Sequence, residues 1–521
     1  MIMKTRCVLS LALLVGAVFA LPAVAETNAA PALTLGQPFT HDMVLQRDRP
    51  VPVWGWAAPG AKVTVSFAGQ SKKTTAGPDG KWTLGLDPLR GSFEPRELSV
   101  RSTPDTPPLT LTNVVVGDVW ICSGQSNMEM GLNLLNGANP KVAPMWTSPE
   151  YLARANQPGL RLFTAPKQFV TEPATRYLQN ERPAYLGQWK LCTIENATHG
   201  GIWYGFSAVA FYFGITIQPA AEAPVGLVVV AHGGTAAEAW MSPKAVKTLK
   251  HKLQCPTQEE RNPKGELNST SACYNGLLHP LLPMAVRGVI WYQGEHNANG
   301  DWNYAETLET LIADWRAGFN QPELPFYIVQ LCSLKGYLGN PTTWPAAREA
   351  QLRAHQRVKN TGLVVTTDLY NWSAPGDIHP NNKQEVGRRL ALWALRDCYG
   401  RKEVEPSGPI YREMKLESDK VRLFFDHAAG GLVAPGAYPD SGQLPGFWIA
   451  GEDRRFVPAI ARADGATVVV SANGLAEPRF VRYGWDIFIP FSFYNLAGLP
   501  ASPFRTDDWK PGVLFNTNAT Q

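Results

Sequence analysis

The residues best suited to covalent chemistry are a serine and a histidine that lie far apart in the chain. Ser126 follows an apolar run and a glycine, an arrangement that places its hydroxyl on a turn into a helix. A serine hydroxyl needs a base within hydrogen-bonding distance to become a nucleophile. His379 can be that base, and Asp377 can orient its ring and stabilise the imidazolium. These three residues predict acyl transfer through a covalent intermediate.

Other residues could stabilise the oxyanion of such a reaction. Gly233 and Gly234 have no side chains to keep their backbone N–H groups away from a carbonyl oxygen. Gln293 offers a side-chain amide, and the backbone N–H of Ser126 is a further donor. We therefore expect an oxyanion hole formed by Ser126, Gly233, Gly234 and Gln293.

Each of these signals has an ordinary structural alternative. A serine at the start of a helix is more often an N-cap than a nucleophile, and two adjacent glycines can simply form a turn. Asp368 also follows a predicted strand and is an alternative to Asp377. Three other histidines are alternative bases: His232, His279 and His296. The catalytic interpretation is favoured because the candidate residues occur in order after successive apolar runs.

Those apolar runs predict the elements that position the site. They cover residues 119–122, 225–230, 288–292, 326–329 and 363–366, and helical patterns lie between them at 206–217, 304–319 and 383–398. Buried strands that alternate with helices predict an α/β fold, a parallel sheet with helices on both faces. Ligands bind beyond the carboxyl ends of such strands, where most of the candidate residues lie.

All-β units are expected on both sides of this α/β domain. Residues 31–112 form the N-terminal β domain, residues 113–403 the catalytic domain with loop insertions, and residues 404–512 a C-terminal unit resembling a β-sandwich. The stretch 131–200 is rich in Asn, Pro and Gly, and we expect long loops or an insertion there.

The N-terminus predicts export. Lys4 and Arg6 precede an apolar run at residues 8–21, and small residues follow, so residues 1–25 are predicted to be a signal peptide. A permanent N-terminal anchor is the alternative. We expect a secreted or periplasmic protein without a membrane span after signal removal. Cys255 and Cys273, which flank a polar stretch, are the best candidates for a disulfide pair in an exported protein.

Composition restricts the class of ligand. The chain has 521 residues, 45% of them hydrophobic, which suffices for two or three cores. The formal net charge is only +4, and no basic stripe suggests binding to nucleic acid. A neutral or locally recognised ligand fits this composition better.

The candidate residues lie in blocks that resemble the SGNH/GDSL hydrolase superfamily, and within it the sialate O-acetylesterase family. The resemblance extends over nearly the whole mature chain and includes Ser123-Gly124-Gln125-Ser126-Asn127-Met128, Gly233-Gly234-Thr235, Trp291-Tyr292-Gln293-Gly294-Glu295 and Asp377-Ile378-His379-Pro380. It implies an SGNH-type sheet, Ser126 as nucleophile, His379 as general base and acid, and the oxyanion donors named above. It implies no metal and no organic cofactor.

The chain departs from the superfamily pattern at two points. Asp377 and His379 have the spacing Asp-x-His instead of Asp-x-x-His, so a Ser–His dyad remains an alternative to a triad. Gln293-Gly294-Glu295-His296 replaces Gly-x-Asn, which leaves the third oxyanion donor open between Gln293 and Asn297.

The resemblance implies a serine esterase that removes O-acetyl groups from a carbohydrate through an acetyl-Ser126 intermediate. Sialic acid is the substrate after which the family is named. A plant hemicellulose, xylan or xyloglucan, is the alternative substrate for the same reaction, and a non-catalytic carbohydrate-binding protein is the alternative of a different class. A sialate-specific site should also provide an arginine for the substrate carboxylate. The sequence does not predict the oligomeric state.

Overall fold

The computed structural model describes residues 32–103, 107–132, 156–177, 186–258, 260, 266–299, 303–335, 342–370, 376–435 and 442–509. The predicted signal peptide at residues 1–25 lies outside these ranges. Within them, no helix has the length and apolar character needed to cross a bilayer.

The N-terminal unit consists of β-strands. They are β1 (Thr34–Leu35), β2 (Val44–Gln46), β3 (Val51–Trp56), β4 (Lys62–Phe67), β5 (Gln70–Thr75), β6 (Lys81–Leu86), β7 (Ser92–Ser102) and β8 (Leu109–Gly124). β1, β3 and β6 form one antiparallel sheet, and β4, β5 and β7 are antiparallel neighbours in a second sheet that includes β8. Alternate side chains of β4, such as Val63 and Val65, are buried in the core of this unit.

β8 belongs to the N-terminal unit and to the central sheet at once. Its first half pairs with β7 and β2, up to Gly117. From Asp118 to Gly124 the same strand pairs in parallel with residues 225–231, which belong to the central sheet. The predicted boundary between residues 112 and 113 therefore lies inside a continuous 16-residue strand.

The central sheet has the strand order β10-β9-β11-β8-β12-β13-β14. Its other strands are β9 (Gln157–Thr164), β10 (Trp189–Cys192), β11 (Val225–Ala231), β12 (Gly288–Tyr292), β13 (Phe326–Val329) and β14 (Thr361–Val364). Neighbours pair in parallel except for β10, which is antiparallel to β9. The predicted parallel sheet is thus confirmed, and every predicted apolar run coincides with or overlaps one of its strands.

Two of these strands were not predicted. β9 and β10 lie within residues 131–200, where we expected long loops or an insertion, so the expectation of loops is wrong for 157–164 and 189–192. Arg161 interrupts the short apolar run of β9, and its side chain is nevertheless buried beside β11. This strand is buried because of its neighbours in the sheet. Its own sequence therefore shows little hydrophobic periodicity from which a strand could be predicted.

Helices cover both faces of the sheet, as predicted. They are Ser126–Glu129, Ile194–His199, Ala208–Ala221, Pro243–Val246, Tyr304–Gly318, Thr343–Arg357 and Lys383–Cys398, with shorter helical turns at Ala237–Trp240, Tyr274–Leu278, His279–Leu281 and Asn297–Asn299. Trp120 and Cys122 of β8 share a core with Ala208–Ala221 and Lys383–Cys398. Val119 and Ile121 point to the other face, toward the core containing Tyr304–Gly318 and Thr343–Arg357.

The C-terminal unit also consists of β-strands, as expected. They are β15 (Ile410–Glu417), β16 (Lys420–Asp426), β17 (Leu432–Val433), β18 (Gln443–Leu444), β19 (Phe447–Ala450), β20 (Val457–Pro458), β21 (Ile460–Asp464), β22 (Thr467–Ser471), β23 (Phe480–Tyr483), β24 (Tyr494–Asn495) and β25 (Phe504–Arg505). Two sheets, β15-β16-β22-β21-β18 and β20-β19-β23-β25, are joined by aromatic packing, for example between Phe425 and Phe504 with ring centroids 5.7 Å apart.

Buried polar contacts attach this unit to the catalytic domain. Nη1 and Nη2 of Arg348 donate to the carbonyls of Asp486 and Ile487 at 2.6 and 2.9 Å. Arg505 forms an ion pair with Glu349 at 2.8 Å. Since Arg348 and Glu349 belong to a helix that packs on the central sheet, the C-terminal unit is attached directly to the catalytic core.

The disulfide expected between Cys255 and Cys273 is wrong for this structure. Both residues are buried thiols. Sγ of Cys273 lies 3.2 Å from the carbonyl oxygen of Leu267 and donates to it.

Candidate active site

Ser126 begins a short helix immediately after β8. Gly124 makes this turn possible, since its φ is +139° and a Cβ there would lie 2.0 Å from the carbonyl oxygen of Tyr292 in β12. Only glycine tolerates so close an approach of the two strands. Ser126 is thereby held at the carboxyl end of the sheet, 8% exposed.

The structure brings His379 and Asp377 to this serine. Nε2 of His379 lies 2.9 Å from Oγ of Ser126, and Nδ1 lies 2.8 Å from Oδ1 of Asp377. The backbone N–H of His379 donates to the same carboxylate oxygen at 2.9 Å. A tight turn therefore gives Asp377 access to the ring despite the short Asp-x-His spacing. With the Nδ1 proton directed to Asp377, Nε2 is left to accept the serine hydrogen.

The carboxylate of Asp377 is favoured in its ionised form. Burial opposes ionisation, but the hydrogen bond and charge of His379 and the charge of Lys383 outweigh it, so the pKa of Asp377 lies below its usual value. A carboxylate in this state is suited to stabilising an imidazolium.

Two of the alternative bases and the alternative acid have other partners, and the third base, His232, is disfavoured in its charged form. His279 Nδ1 contacts the carbonyl of Ala174 at 2.8 Å, and His296 Nε2 contacts that of Gln254 at 3.1 Å. Burial, aided by the charge of Lys167, lowers the pKa of His232 to about 4. Asp368 forms a two-pronged ion pair with Arg389, with both N–O distances 2.7 Å.

The predicted oxyanion donors differ in their surroundings and in whether their N–H groups already have an acceptor. A Cβ on Gly233 would lie 3.4 Å from Cβ of Ser126, so this glycine is next to the nucleophile. Its N–H, however, donates to Oε2 of Glu129 at 2.7 Å. Gly234 has a φ of +72° and open space around its Cβ position. Among the described residues, no acceptor contacts the N–H of Gly234 or that of Ser126.

Gln293 does not fit its predicted role. Its side-chain N–H groups donate to the carbonyl of Thr235 at 3.0 Å and to Oδ1 of Asn297 at 2.7 Å. Asn297 in turn donates to Glu238 at 3.0 Å. The amide of Gln293 is fully buried and connects loops beneath the site, so we correct its assignment from oxyanion donor to structural residue.

Glu129 lies beside the nucleophile and was not identified from the sequence. Its side chain is buried and forms an ion pair with Lys167, which is 27% exposed. Glu129 also lines a small cavity together with Thr164, Ile202 and Ser207. No sequence pattern indicates this position, because its partners come from separate loops.

An aromatic loop, residues 201–205, borders His379 on one side. The ring of Trp203 meets that of His379 edge to face, with centroids 5.7 Å apart. Tyr204 is 46% exposed and has a φ of +58°. A Cβ on Gly201 would lie 1.6 Å from the carbonyl oxygen of Gly205, so the loop is closed too tightly for larger residues there.

No metal site accompanies this geometry in the part of the chain that the structure describes. No group of three or more histidine, cysteine and acidic side chains is arranged there to hold a metal ion.

Comparison with known proteins places the chain in a family. Residues 116–396 match the family model described as carbohydrate esterase, sialic acid-specific acetylesterase. The chain is 32% identical to sialate O-acetylesterase of Homo sapiens, over 78% of this chain and 79% of that protein. The protein belongs to the sialate O-acetylesterase family.

Other members of the family agree with this assignment. The sialate O-acetylesterase of Mus musculus is 30% identical over 72% of this chain and 75% of its own length. A crystal structure of a carbohydrate acetylesterase from Xanthomonas citri is 35% identical, with a TM-score of 0.78 over 92% of this chain and 100% of that one. The resemblance inferred from the sequence blocks and the predicted fold class are both confirmed.

Proposed function

We propose that the protein hydrolyses O-acetyl esters of carbohydrates by serine catalysis. Membership in this family makes it a carboxylic ester hydrolase. The main support for this mechanism is the 2.9 Å distance between Oγ of Ser126 and Nε2 of His379. Oδ1 of Asp377 lies 2.8 Å from Nδ1 on the other side of the same ring.

The reaction proceeds through an acetyl-enzyme. Oγ of Ser126 attacks the acetyl carbonyl carbon while its proton passes to Nε2 of His379. The tetrahedral intermediate collapses, the bond to the sugar oxygen breaks, and that oxygen takes the proton from His379. Water then gives one proton to His379 and attacks the acetyl-serine, and the same proton returns to Oγ as acetic acid leaves. The acid then loses its remaining proton to solvent and becomes acetate.

The N–H groups of Ser126 and Gly234 are the proposed oxyanion donors. They lack acceptors within the described residues, whereas the N–H of Gly233 is held by Glu129. Gly233 can contribute only after the carboxylate of Glu129 has moved toward Lys167, with which it is already paired. Donors aimed at the developing charge supply much of the rate enhancement in acyl transfer.

Charge near the site favours a neutral sugar over a sialic acid. A sialate carboxylate calls for a cation at the binding site, and within the described residues two lysines contact neighbours of Ser126. Lys167 is already neutralised by Glu129, and Lys383 is fully buried against Asn127. Acetylated hemicellulose, xylan or xyloglucan, is therefore the substrate class that we propose first, with acetylated sialic acid as the second.

We also propose that the protein acts outside the cytoplasm, on the basis of the signal-like residues 1–25. Mass spectrometry of the purified protein should find a mature N-terminus at Glu26, in the periplasmic or culture fraction. An intact N-terminus in membranes would support the anchor instead.

Replacement of the serine tests the central proposal. Ser126→Ala should reduce acetate release from acetylated xylo-oligosaccharides and from acetylated sialic acid by at least about 1,000-fold, because triad members act as a unit. Ser66→Ala, a serine at the surface of the N-terminal unit, is the matched control. Wild-type activity in Ser126→Ala would refute serine catalysis. The ratio of the two wild-type rates decides the substrate class.

A further inference from the structure

A buried polar cluster lies directly behind Ser126 and His379. Nδ2 of Asn127 donates to Oε1 of Glu295 and to the backbone carbonyl of Ile378, the latter at 3.0 Å. Nζ of Lys383 donates to Oδ1 of Asn127. Asn127 and Lys383 are 0% exposed and Glu295 is 4% exposed. The catalytic steps described above use none of these side chains.

The cluster joins the elements that carry the catalytic groups. Asn127 follows Ser126 in the chain, and Ile378 precedes His379. Glu295 comes from the loop after β12, and Lys383 begins the helix Lys383–Cys398. One amide thus connects the serine turn to the histidine loop, and a carboxylate and an ammonium group hold that amide in place.

Such a cluster is costly for folding alone. Taking a carboxylate and an ammonium group out of water is energetically unfavourable, and apolar residues of similar volume would often be at least as stable. Burial raises the pKa of Glu295 and lowers the pKa of Lys383 to about 8. The placement of these groups beside the catalytic pair offers a reason for that cost.

We propose that Asn127, Glu295 and Lys383 are positioning residues that hold His379 against Ser126 and balance the charge around the imidazole. This inference rests on the proposed function. Asn127 fixes the distance between the two loops through its bond to the carbonyl of Ile378. Glu295 favours the imidazolium, and Lys383 opposes it.

Other groups also act on this site. Asp377 influences Lys383 and contacts His379 directly. The thiol of Cys332 faces both Glu295 and Lys383, and the ring of Tyr292 lies 5.3 Å from Nζ of Lys383. Because Asp377 is present in every variant below, differences between variants report on the cluster itself.

The positioning role is tested with a matched pair of asparagines. Asn127→Ala should lower kcat about 100-fold and change KM less than about threefold, since a small displacement of reacting groups costs this much. Asn495→Ala is the control: its Nδ2 also donates to two buried carbonyls, at 2.8 and 2.9 Å, but in the C-terminal unit. It should lower Tm comparably and leave kcat unchanged. Equal kcat in the two variants would overturn the proposal.

The charges are tested by the pH profile of kcat/KM. Glu295→Gln removes a negative charge that favours the imidazolium, so the acid limb should move to lower pH by about half a unit. Lys383→Met should move it to higher pH. A purely structural role would not shift the limb in opposite directions, so parallel shifts, or none, would contradict the proposal.

A fourth cluster variant separates the loss of the N–H donors from the loss of side-chain volume. Asn127→Asp preserves the volume and the acceptor for Lys383 but loses both N–H donors, and it should lose kcat as Asn127→Ala does. An inactive Ser126→Ala beside fully active cluster variants would refute only this inference. An active Ser126→Ala would refute the proposed function itself.

Discussion

At the scale of single residues, the site contains some residues that could be identified from the sequence and others that only the contacts in the structure reveal. Ser126 and His379 could be identified because each follows a predicted strand and carries chemistry in its side chain. Asn127, Glu129 and Lys383 could not, since their importance arises from contacts between loops far apart in the chain. Gln293 was assigned wrongly because a side-chain amide can donate hydrogen bonds either to a substrate or to neighbouring loops. Only its hydrogen bonds in the structure show that it donates to the loops.

The triad geometry makes a quantitative prediction for Asp377. Asp377→Asn removes the carboxylate that accepts the Nδ1 hydrogen of His379, so we expect kcat to fall on the order of 10³–10⁴-fold. Steady-state kinetics on an acetylated oligosaccharide measure this loss. Asp368→Asn, which breaks the ion pair with Arg389, should lower stability and leave kcat within a fewfold of wild type. A loss under tenfold in Asp377→Asn would establish a dyad.

At the scale of elements, strongly apolar runs were predicted well and polar elements poorly. The helix Lys383–Cys398 has the bounds expected from its apolar spacing. The helix Thr343–Arg357 was missed because its buried face includes Arg348, Glu349 and Gln351, whose partners are backbone N–H and carbonyl groups and a charged side chain of other elements. A polar buried face leaves no hydrophobic periodicity to detect.

The aromatic loop beside His379 should bind the sugar. Tyr204 has an exposed ring and follows Trp203, whose ring contacts His379, and aromatic faces pack well on sugar rings. Tyr204→Ala should raise KM for acetylated oligosaccharides about fivefold, equivalent to roughly 1 kcal/mol. The rate on 4-nitrophenyl acetate, which lacks a sugar, should not change.

Phe93 is the matched control for this loop, because it is 52% exposed but belongs to β7 of the N-terminal unit. Phe93→Ala should leave both substrates unaffected. An equal loss on both substrates in Tyr204→Ala would mean that the loop supports the catalytic histidine and does not bind the sugar.

At the scale of the whole molecule, two partly buried histidines should make stability depend on pH. Burial, followed by the charge of Lys167, lowers the pKa of His232 to about 4; burial, followed by the charge of His427, does the same for His355. An unfolded histidine titrates near 6.5, so the unfolded chain binds more protons between pH 6.5 and 4. Stability should therefore fall as the pH is lowered through this window.

Thermal or urea unfolding measured from pH 7.5 to 4 checks this expectation. Each histidine should account for about 2 kcal/mol of the loss, after allowance for partial solvation. His355→Gln should flatten the profile, whereas His41→Gln, at the exposed surface of the N-terminal unit, should not. A profile that is equally steep in His355→Gln would rule out this residue as a source.

The continuous strand Leu109–Gly124 limits how the domains of this protein can be exchanged by recombination during evolution. Val114, Val115 and Val116 are buried by the N-terminal unit, while the residues that follow them in the same strand lead to the nucleophile. A recombination event at residue 113 would leave an apolar strand edge open to association with other chains. The N-terminal unit therefore does not end at a boundary where it could be exchanged as a module, and the strand that leads to Ser126 depends on the packing of that unit.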